Sequence, residues 1–149
     1  MYISVIGGDV GSAREEDLTT AEDLGEKLAA KGHTIVCGGR GGVMRAACKG
    51  AKKKGGETIG ILPSSSREEA NEYIDHAIVT DLGMMRNSLV VMNGDLVIAI
   101  DGGYGTLSEI CFAHKYGKDI LGINTWEVDA VDNFEKLEDL TERIEKLES

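Results

Sequence analysis

Six short apolar runs alternate along the chain with longer segments that carry apolar residues at helical spacing. The runs lie at residues 2–6, 34–37, 58–62, 76–79, 95–100 and 120–123. Their lengths suit strands, and the glycine, proline or polar residues after them predict turns. Residues 95–100 are too apolar for a half-exposed strand, which predicts a central strand covered on both faces.

The segments between the runs predict helices. Ser12 and Glu15 fit a capping box at the start of the first helix, and Gly32 would end it. Its predicted buried face has four members: Leu18, Ala21, Leu24 and Leu28. Further helices are predicted over 43–54, 84–93 and from the glycine turn at 102–106 to about residue 116. In the tail, six apolar residues at helical spacing predict a docking helix over 133–149: Val131, Phe134, Leu137, Leu140, Ile144 and Leu147.

The alternation of strands and helices predicts the fold class. No repeat, low-complexity tract or linker divides residues 1–149, so the sequence predicts one Rossmann-like α/β domain. Its core would be a doubly wound parallel sheet with helices on both faces. Since crossovers are right-handed, the strand-to-helix turns should all reach the carboxyl edge of the sheet. Ligands of such sheets bind at that edge, which predicts a nucleotide-binding domain.

Composition narrows the range of partners. The 16 basic and 26 acidic residues give a net charge of −10, which argues against a nucleic-acid backbone or an anionic membrane as the main partner. No apolar run has the roughly 18 residues of a membrane span, and no basic stretch precedes the first apolar residues. The three cysteines form no CxxC pair, which favours a reducing compartment over a disulfide framework or zinc knuckle. The predicted location is the cytoplasm.

Glycine is the compositional outlier, with 20 residues against one proline, and it clusters in three strand-to-helix turns at 7–8, 38–42 and 102–106. Glycine lets backbone amides approach a ligand, and a helix that follows presents free N–H groups to an anion. The turns therefore predict a site for a phosphorylated small molecule. The binding residues assigned to it are Gly7, Gly8, Gly38, Gly39, Gly42, Met85, Asn87, Gly102, Gly103, Gly105 and Thr106. None of the turns completes the P-loop or dinucleotide fingerprint.

The third turn brings charged side chains into the picture. Thr106 and Glu109 fit a capping box, which is the purely structural interpretation of both residues. In the functional interpretation, Glu109 lies over the carboxyl edge and addresses a bound ligand. Arg86, at the entrance of the preceding helix, would reach the same edge.

At these residues the sequence resembles the lonely-guy (LOG) superfamily, long labelled lysine decarboxylases, whose motif is PGGxGTxxE. Five positions match that motif: Gly102, Gly103, Gly105, Thr106 and Glu109. Arg86 fits the arginine of the family by spacing, and residues 38–44 are similar to its GGxxGLM turn. Asp101 replaces the motif proline, Asn87 the lysine after the arginine, and Cys37 a further glycine. These departures and the short length resemble the branch that includes molybdenum-cofactor carrier proteins.

The resemblance implies two functions of different classes. Members of the superfamily hydrolyse the N-glycosidic bond of nucleoside 5′-monophosphates, which would make Arg86 and Glu109 catalytic. The alternative is a non-catalytic carrier that holds a nucleotide or a phosphorylated pterin such as molybdopterin on the same amides. Neither requires a further cofactor. The resemblance also implies a homo-oligomer, a dimer or tetramer.

Two other roles have weaker support from the sequence. The acidic tail helix could dock a partner, but a solvated outer face is the simpler interpretation of its charges. Cys111 and His114 lie one helical turn apart, and without further ligands they predict core packing and no metal site.

Overall fold

The sheet is parallel throughout and has seven strands. The computed structural model describes every residue from 1 to 149. The strands are β1 (Tyr2–Gly7), β2 (Thr34–Cys37), β3 (Thr58–Leu62), β4 (His76–Val79), β5 (Leu96–Ile100), β6 (Ile120–Ile123) and β7 (Asp132–Phe134). Their order is β4-β3-β2-β1-β5-β6-β7, so the chain winds outward from β1 to one edge and then returns to β1's other side. The predicted doubly wound α/β fold is confirmed.

Five helices cover the two faces of the sheet. They are α1 (Glu15–Ala30), α2 (Val43–Lys53), α3 (Asn87–Met92), α4 (Tyr104–Lys115) and α5 (Leu137–Glu148). Helices α1, α2 and α5 bury their apolar residues in one layer, and α3 and α4 bury theirs in the other. All five residues of β5 are buried between the layers, as predicted for the run at 95–100. None of the helices combines the length and apolar character that a bilayer crossing requires.

Helices α1 and α2 touch through their backbones. A Cβ at Gly25 would overlap the Ala47 carbonyl oxygen, and a Cβ at Gly50 would overlap that of Glu22. The residues predicted to face inward from α1 do so: Ala21, Leu24 and Leu28 are buried, and Leu18 is half-buried.

Three predicted boundaries are wrong. Ser12 does not cap α1, because its hydroxyl and backbone amide both donate to the Asp9 carbonyl within a tight turn, and the helix starts at Glu15. The helix predicted over 84–93 is split, with a 3-10 turn at Gly83–Arg86 before α3. In the tail, Val131 packs under the α3–α4 layer and Asp132–Phe134 pairs with β6, so the last helix begins only at Leu137.

Candidate functional site

A cleft of about 520 Å³ opens at the carboxyl edge, where β1 and β5 lie side by side. Seven of the residues predicted for the site line it: Gly7, Arg86, Asn87, Gly103, Gly105, Thr106 and Glu109. The structure therefore brings the first and third glycine turns together with the charged pair. The rest of the lining was not predicted and comprises Val5, Ile6, Asp9, Ser12, Arg40, Met44, Pro63, Gly83 and Met84.

The other predicted binding residues lie behind the wall of the cleft or outside it: Gly8, Gly38, Gly39, Gly42, Met85 and Gly102. Most of these glycines serve internal packing. A Cβ at Gly42 would overlap the Gly8 carbonyl oxygen, and a Cβ at Gly38 would lie 2.7 Å from the Arg86 guanidinium. Met85 is exposed beside the cleft.

The N-terminus of α4 is not capped by any side chain. Gly103 is the N-cap residue, so Thr106 lies in the first turn and the predicted capping box of Thr106 and Glu109 is wrong. The first backbone hydrogen bond of the helix runs from the Leu107 amide to the Gly103 carbonyl, and the amides of residues 104–106 before it have no acceptor in the chain. Free amides at the positive end of a helix dipole form an anion site.

Gly103 and Gly105 face open space. A Cβ at either position would meet no atom within 4 Å, and neither residue has a positive φ. The fold itself does not require glycine there. A ligand that approaches the backbone closely would require glycine at these positions.

Asp101 lies on the opposite side of this turn and does not line the cleft. Its φ of +57° is in the left-handed region, which the ring of a proline does not permit. A Cβ at Gly8 would lie 2.6 Å from its carboxylate oxygen Oδ2, and its carbonyl accepts a hydrogen bond from Thr125. The carboxylate thus lies against Gly8 in the β1–α1 turn, and Asp101 is not among the residues that line the cleft.

Arg86 is held in position by neutral groups. Its Nη1 donates to the side-chain oxygen of buried Asn87, and Nη2 donates a longer bond of 3.4 Å to the Gly38 carbonyl. Asn87 in turn donates to Ser108 on α4. The Nε of Arg86 is buried and has no partner. Burial lowers the pKa of Arg86, and the nearby Glu109 opposes that shift. Its guanidinium therefore keeps donor capacity for a ligand in the cleft.

Glu109 lies one turn into α4 and is 8% exposed. Removal from water raises the pKa of its carboxyl to about 8; Arg86 lowers it, and the sulfur of Cys37 raises it further. The two side chains share the cleft without forming an ion pair. A carboxyl with a raised pKa holds its proton to higher pH than an exposed one does, and the position of Glu109 in the sequence did not indicate this shift.

The lining of the cleft also carries charged side chains of both signs from two other turns. Asp9 adds a carboxylate from the β1–α1 turn, and Arg40 adds a cation from the β2–α2 turn. Met84 lines the opening and is largely exposed. Arg40 lies inside the glycine turn at 38–42 and Asp9 directly follows the one at 7–8, so the rule that these turns converge could have included both residues.

No metal site is apparent among the His, Cys, Asp and Glu side chains. Cys111 and His114 are both exposed on α4, so the expectation that they pack in the core is wrong.

Comparison with known proteins identifies relatives of two kinds. The SLOG cluster4 family matches residues 1–148. A cytokinin riboside 5′-monophosphate phosphoribohydrolase of Mycobacterium tuberculosis is 33% identical over 74% of this chain, and the matched part is 64% of that relative's length. The molybdenum cofactor binding protein of Rippkaea orientalis has a TM-score of 0.92 at 36% identity, covering 99% of this chain and 97% of that one. The molybdenum cofactor carrier protein of Chlamydomonas reinhardtii has a TM-score of 0.90 at 29% identity, covering 98% and 96%. The chain belongs to the SLOG cluster4 family.

Proposed function

We propose that this member of the SLOG cluster4 family binds a nucleoside 5′-monophosphate and hydrolyses its N-glycosidic bond, releasing free base and ribose 5-phosphate. One observation carries the proposal: the uncapped start of α4 and the buried Glu109 carboxyl lie on the same helix and line the same cleft. Residues 1–149 would then form a single nucleotide-binding domain.

The 5′-phosphate would bind at the start of α4. The free amides of residues 104–106 donate to its oxygens, and the open space over Gly103 and Gly105 gives it room. Arg86, with its unpartnered Nε, adds a positive charge beside the anion. These groups hold the phosphate within an otherwise acidic protein.

Glu109 would act as the general acid. As the bond between C1′ and the base nitrogen breaks, its electron pair leaves on the base, and a carboxyl with a pKa of about 8 can donate a proton there at neutral pH. A neutral carboxyl stabilises a ribose cation poorly, so the oxocarbenium-like charge needs a second group. Asp9 supplies a carboxylate in the same cleft and would take the proton of the water whose oxygen bonds to C1′.

The test is a panel of nucleoside 5′-monophosphates, with free base measured by chromatography. Glu109→Gln keeps the shape of the side chain without the acidic proton, so we expect the rate to fall about 100-fold or more. The wild-type rate depends on the protonated form and should fall as the pH rises through about 8. Glu138→Gln, on the first turn of α5 outside the cleft, is the matched control. An unchanged rate in Glu109→Gln would remove the acid role.

A second candidate function is a carrier that holds the phosphorylated pterin of molybdenum cofactor on the same amides without turnover. It is favoured by the length of the match, because the structural similarity to the Rippkaea orientalis protein covers nearly the whole chain. The carrier is also favoured by Asn87, which replaces the lysine that follows the arginine in the superfamily resembled by the sequence. The size of the cleft and its free amides fit a phosphorylated ligand of this kind.

Mass spectrometry of denatured protein separates the two functions. A pterin released from the purified protein, together with no cleavage of any monophosphate, would support the carrier and contradict the hydrolase. Release of base from any monophosphate would decide for the hydrolase.

A further inference from the structure

Two buried thiols face each other beneath the β2–α2 turn. The Sγ atoms of Cys37, the last residue of β2, and Cys48, on α2, are 3.7 Å apart, and both residues are 0% exposed. The Gly39 amide donates to the sulfur of Cys37 at 3.3 Å. The hydrolysis proposed above uses neither thiol.

The separation is close to what a disulfide needs. An S–S bond of about 2.05 Å would require the two sulfurs to approach by about 1.6 Å, a shift shared between two side chains. Both sulfurs lie in a layer whose other buried residues are aliphatic. The pair is 11 residues apart in sequence, so a bond would close a short loop.

The surroundings distinguish the two sulfurs. The hydrogen bond from Cys48, the Gly39 amide and the Arg86 guanidinium lower the pKa of Cys37 against the opposing effect of burial. The hydrogen bond to Cys37 and burial raise the pKa of Cys48. The Gly39 amide donates to the sulfur of Cys37 and stabilises its thiolate, so Cys37 is the better nucleophile of the pair.

We propose that Cys37 and Cys48 form a reversible disulfide, a buried modification site beside the cleft. Hydrogen peroxide, which is small enough to enter through local opening, is the oxidant. The Cys37 thiolate attacks one oxygen, the O–O bond breaks, and the second oxygen leaves as water after taking a proton. Cys48 then attacks the sulfur of the Cys37 sulfenic acid, forms the S–S bond, and releases the remaining oxygen as a second water. One peroxide is reduced and two thiols are oxidised.

The disulfide would act on the cleft through the chain on either side. Cys37 continues directly into Gly38, whose carbonyl accepts the Arg86 hydrogen bond. Met44 lies one helical turn before Cys48 and lines the cleft. A bond between the sulfurs would tie both supports together and restrain the β2–α2 turn.

Peptide mapping of the folded protein tests the site. Trypsin separates the cysteines into peptides 32–40, 46–49 and 87–115. After peroxide treatment and alkylation in denaturant, we expect peptide 32–40 joined to 46–49, two hydrogens lighter than the sum of the free peptides and absent after dithiothreitol. Cys111→Ser removes the exposed thiol and should leave this product unchanged. If both peptides remain fully alkylated while Cys111 is oxidised, the proposal is overturned.

Hydrogen exchange tests the effect on the cleft wall and requires no ligand. Amides of residues 38–42 should exchange at least several-fold more slowly in the oxidised protein than in the reduced protein. Equal exchange in the two forms would overturn the link to the cleft, whether or not the chain hydrolyses a nucleotide.

Discussion

The β2–α2 turn and the β5–α4 turn are both rich in glycine and both reach the carboxyl edge, but their glycines serve different purposes. At the β2–α2 turn the space beside each glycine is filled by the protein: by Gly8 at Gly42 and by Arg86 and Met44 at Gly38. At the β5–α4 turn Gly102 packs against Thr106, but Gly103 and Gly105 border empty space. A cluster of glycines in sequence therefore marks close backbone approach in general. Only the neighbours show whether the approaching group belongs to the chain or to a ligand.

Gly42→Ala should have the largest effect, because it adds a Cβ that overlaps the Gly8 carbonyl at a residue with φ +66°. We expect a loss of about 4 kcal/mol in the free energy of unfolding, measured by chemical denaturation. Gly32→Ala is the matched control, with φ +81° and no neighbour within 4 Å. It should lose about 1 kcal/mol. Equal losses would mean that backbone strain alone keeps Gly42.

Gly103→Val tests the open turn. It should change the free energy of unfolding by less than about 1 kcal/mol, because a Cβ at this position points into open space. It should weaken binding of adenosine 5′-monophosphate about 30-fold or more, because the methyl groups occupy the space over the free amides. Calorimetric titration measures the affinity. Retained affinity would place the phosphate elsewhere.

Asp101→Asn should have the smallest effect. The carboxylate faces Gly8 and lies outside the cleft, so removing its charge should change the affinity for the same monophosphate less than about threefold at physiological ionic strength. A tenfold gain would show that the charge reaches the phosphate site in spite of its direction.

The sequence predicted the sheet better than the helix ends. The strands at 34–37, 58–62, 76–79 and 120–123 have the predicted bounds, because each is a short, largely apolar run followed by a glycine, proline or polar residue. Both predicted capping boxes are wrong, because the sequence motif permits the capping hydrogen bonds but does not enforce them. Ser12 bonds the Asp9 carbonyl, and the start of α4 leaves its amides free. The prediction for the tail is wrong at its start. The spacing of the apolar residues fits a helix, but Asp132–Phe134 pairs with β6 and joins the sheet.

For the site, topology could be predicted and electrostatics could not. The carboxyl-edge rule placed Arg86 and Glu109 in one cleft, where the structure has them. It could have included Arg40, which lies in the glycine turn at 38–42, and Asp9, which directly follows the one at 7–8. The raised pKa of Glu109 depends on how deeply α4 packs on the sheet, and the Arg86–Asn87 contact depends on the break between the 3-10 turn and α3. The spacing of residues in the sequence indicates neither the raised pKa nor this contact.

The backbone contact between α1 and α2 has a mechanical consequence. Two helices in direct backbone contact at Gly25 and Gly50 cannot slide or separate without losing that fit. We therefore expect the side of the cleft that carries Asp9, Arg40 and Met44 to move as one rigid unit. The second side of the cleft is formed by the short α3 and the 3-10 turn before it, where Met84 and Met85 are exposed. Because no comparable backbone contact is shared by α3 and α4, we expect any widening of the cleft for a bulky molecule to come from this second side.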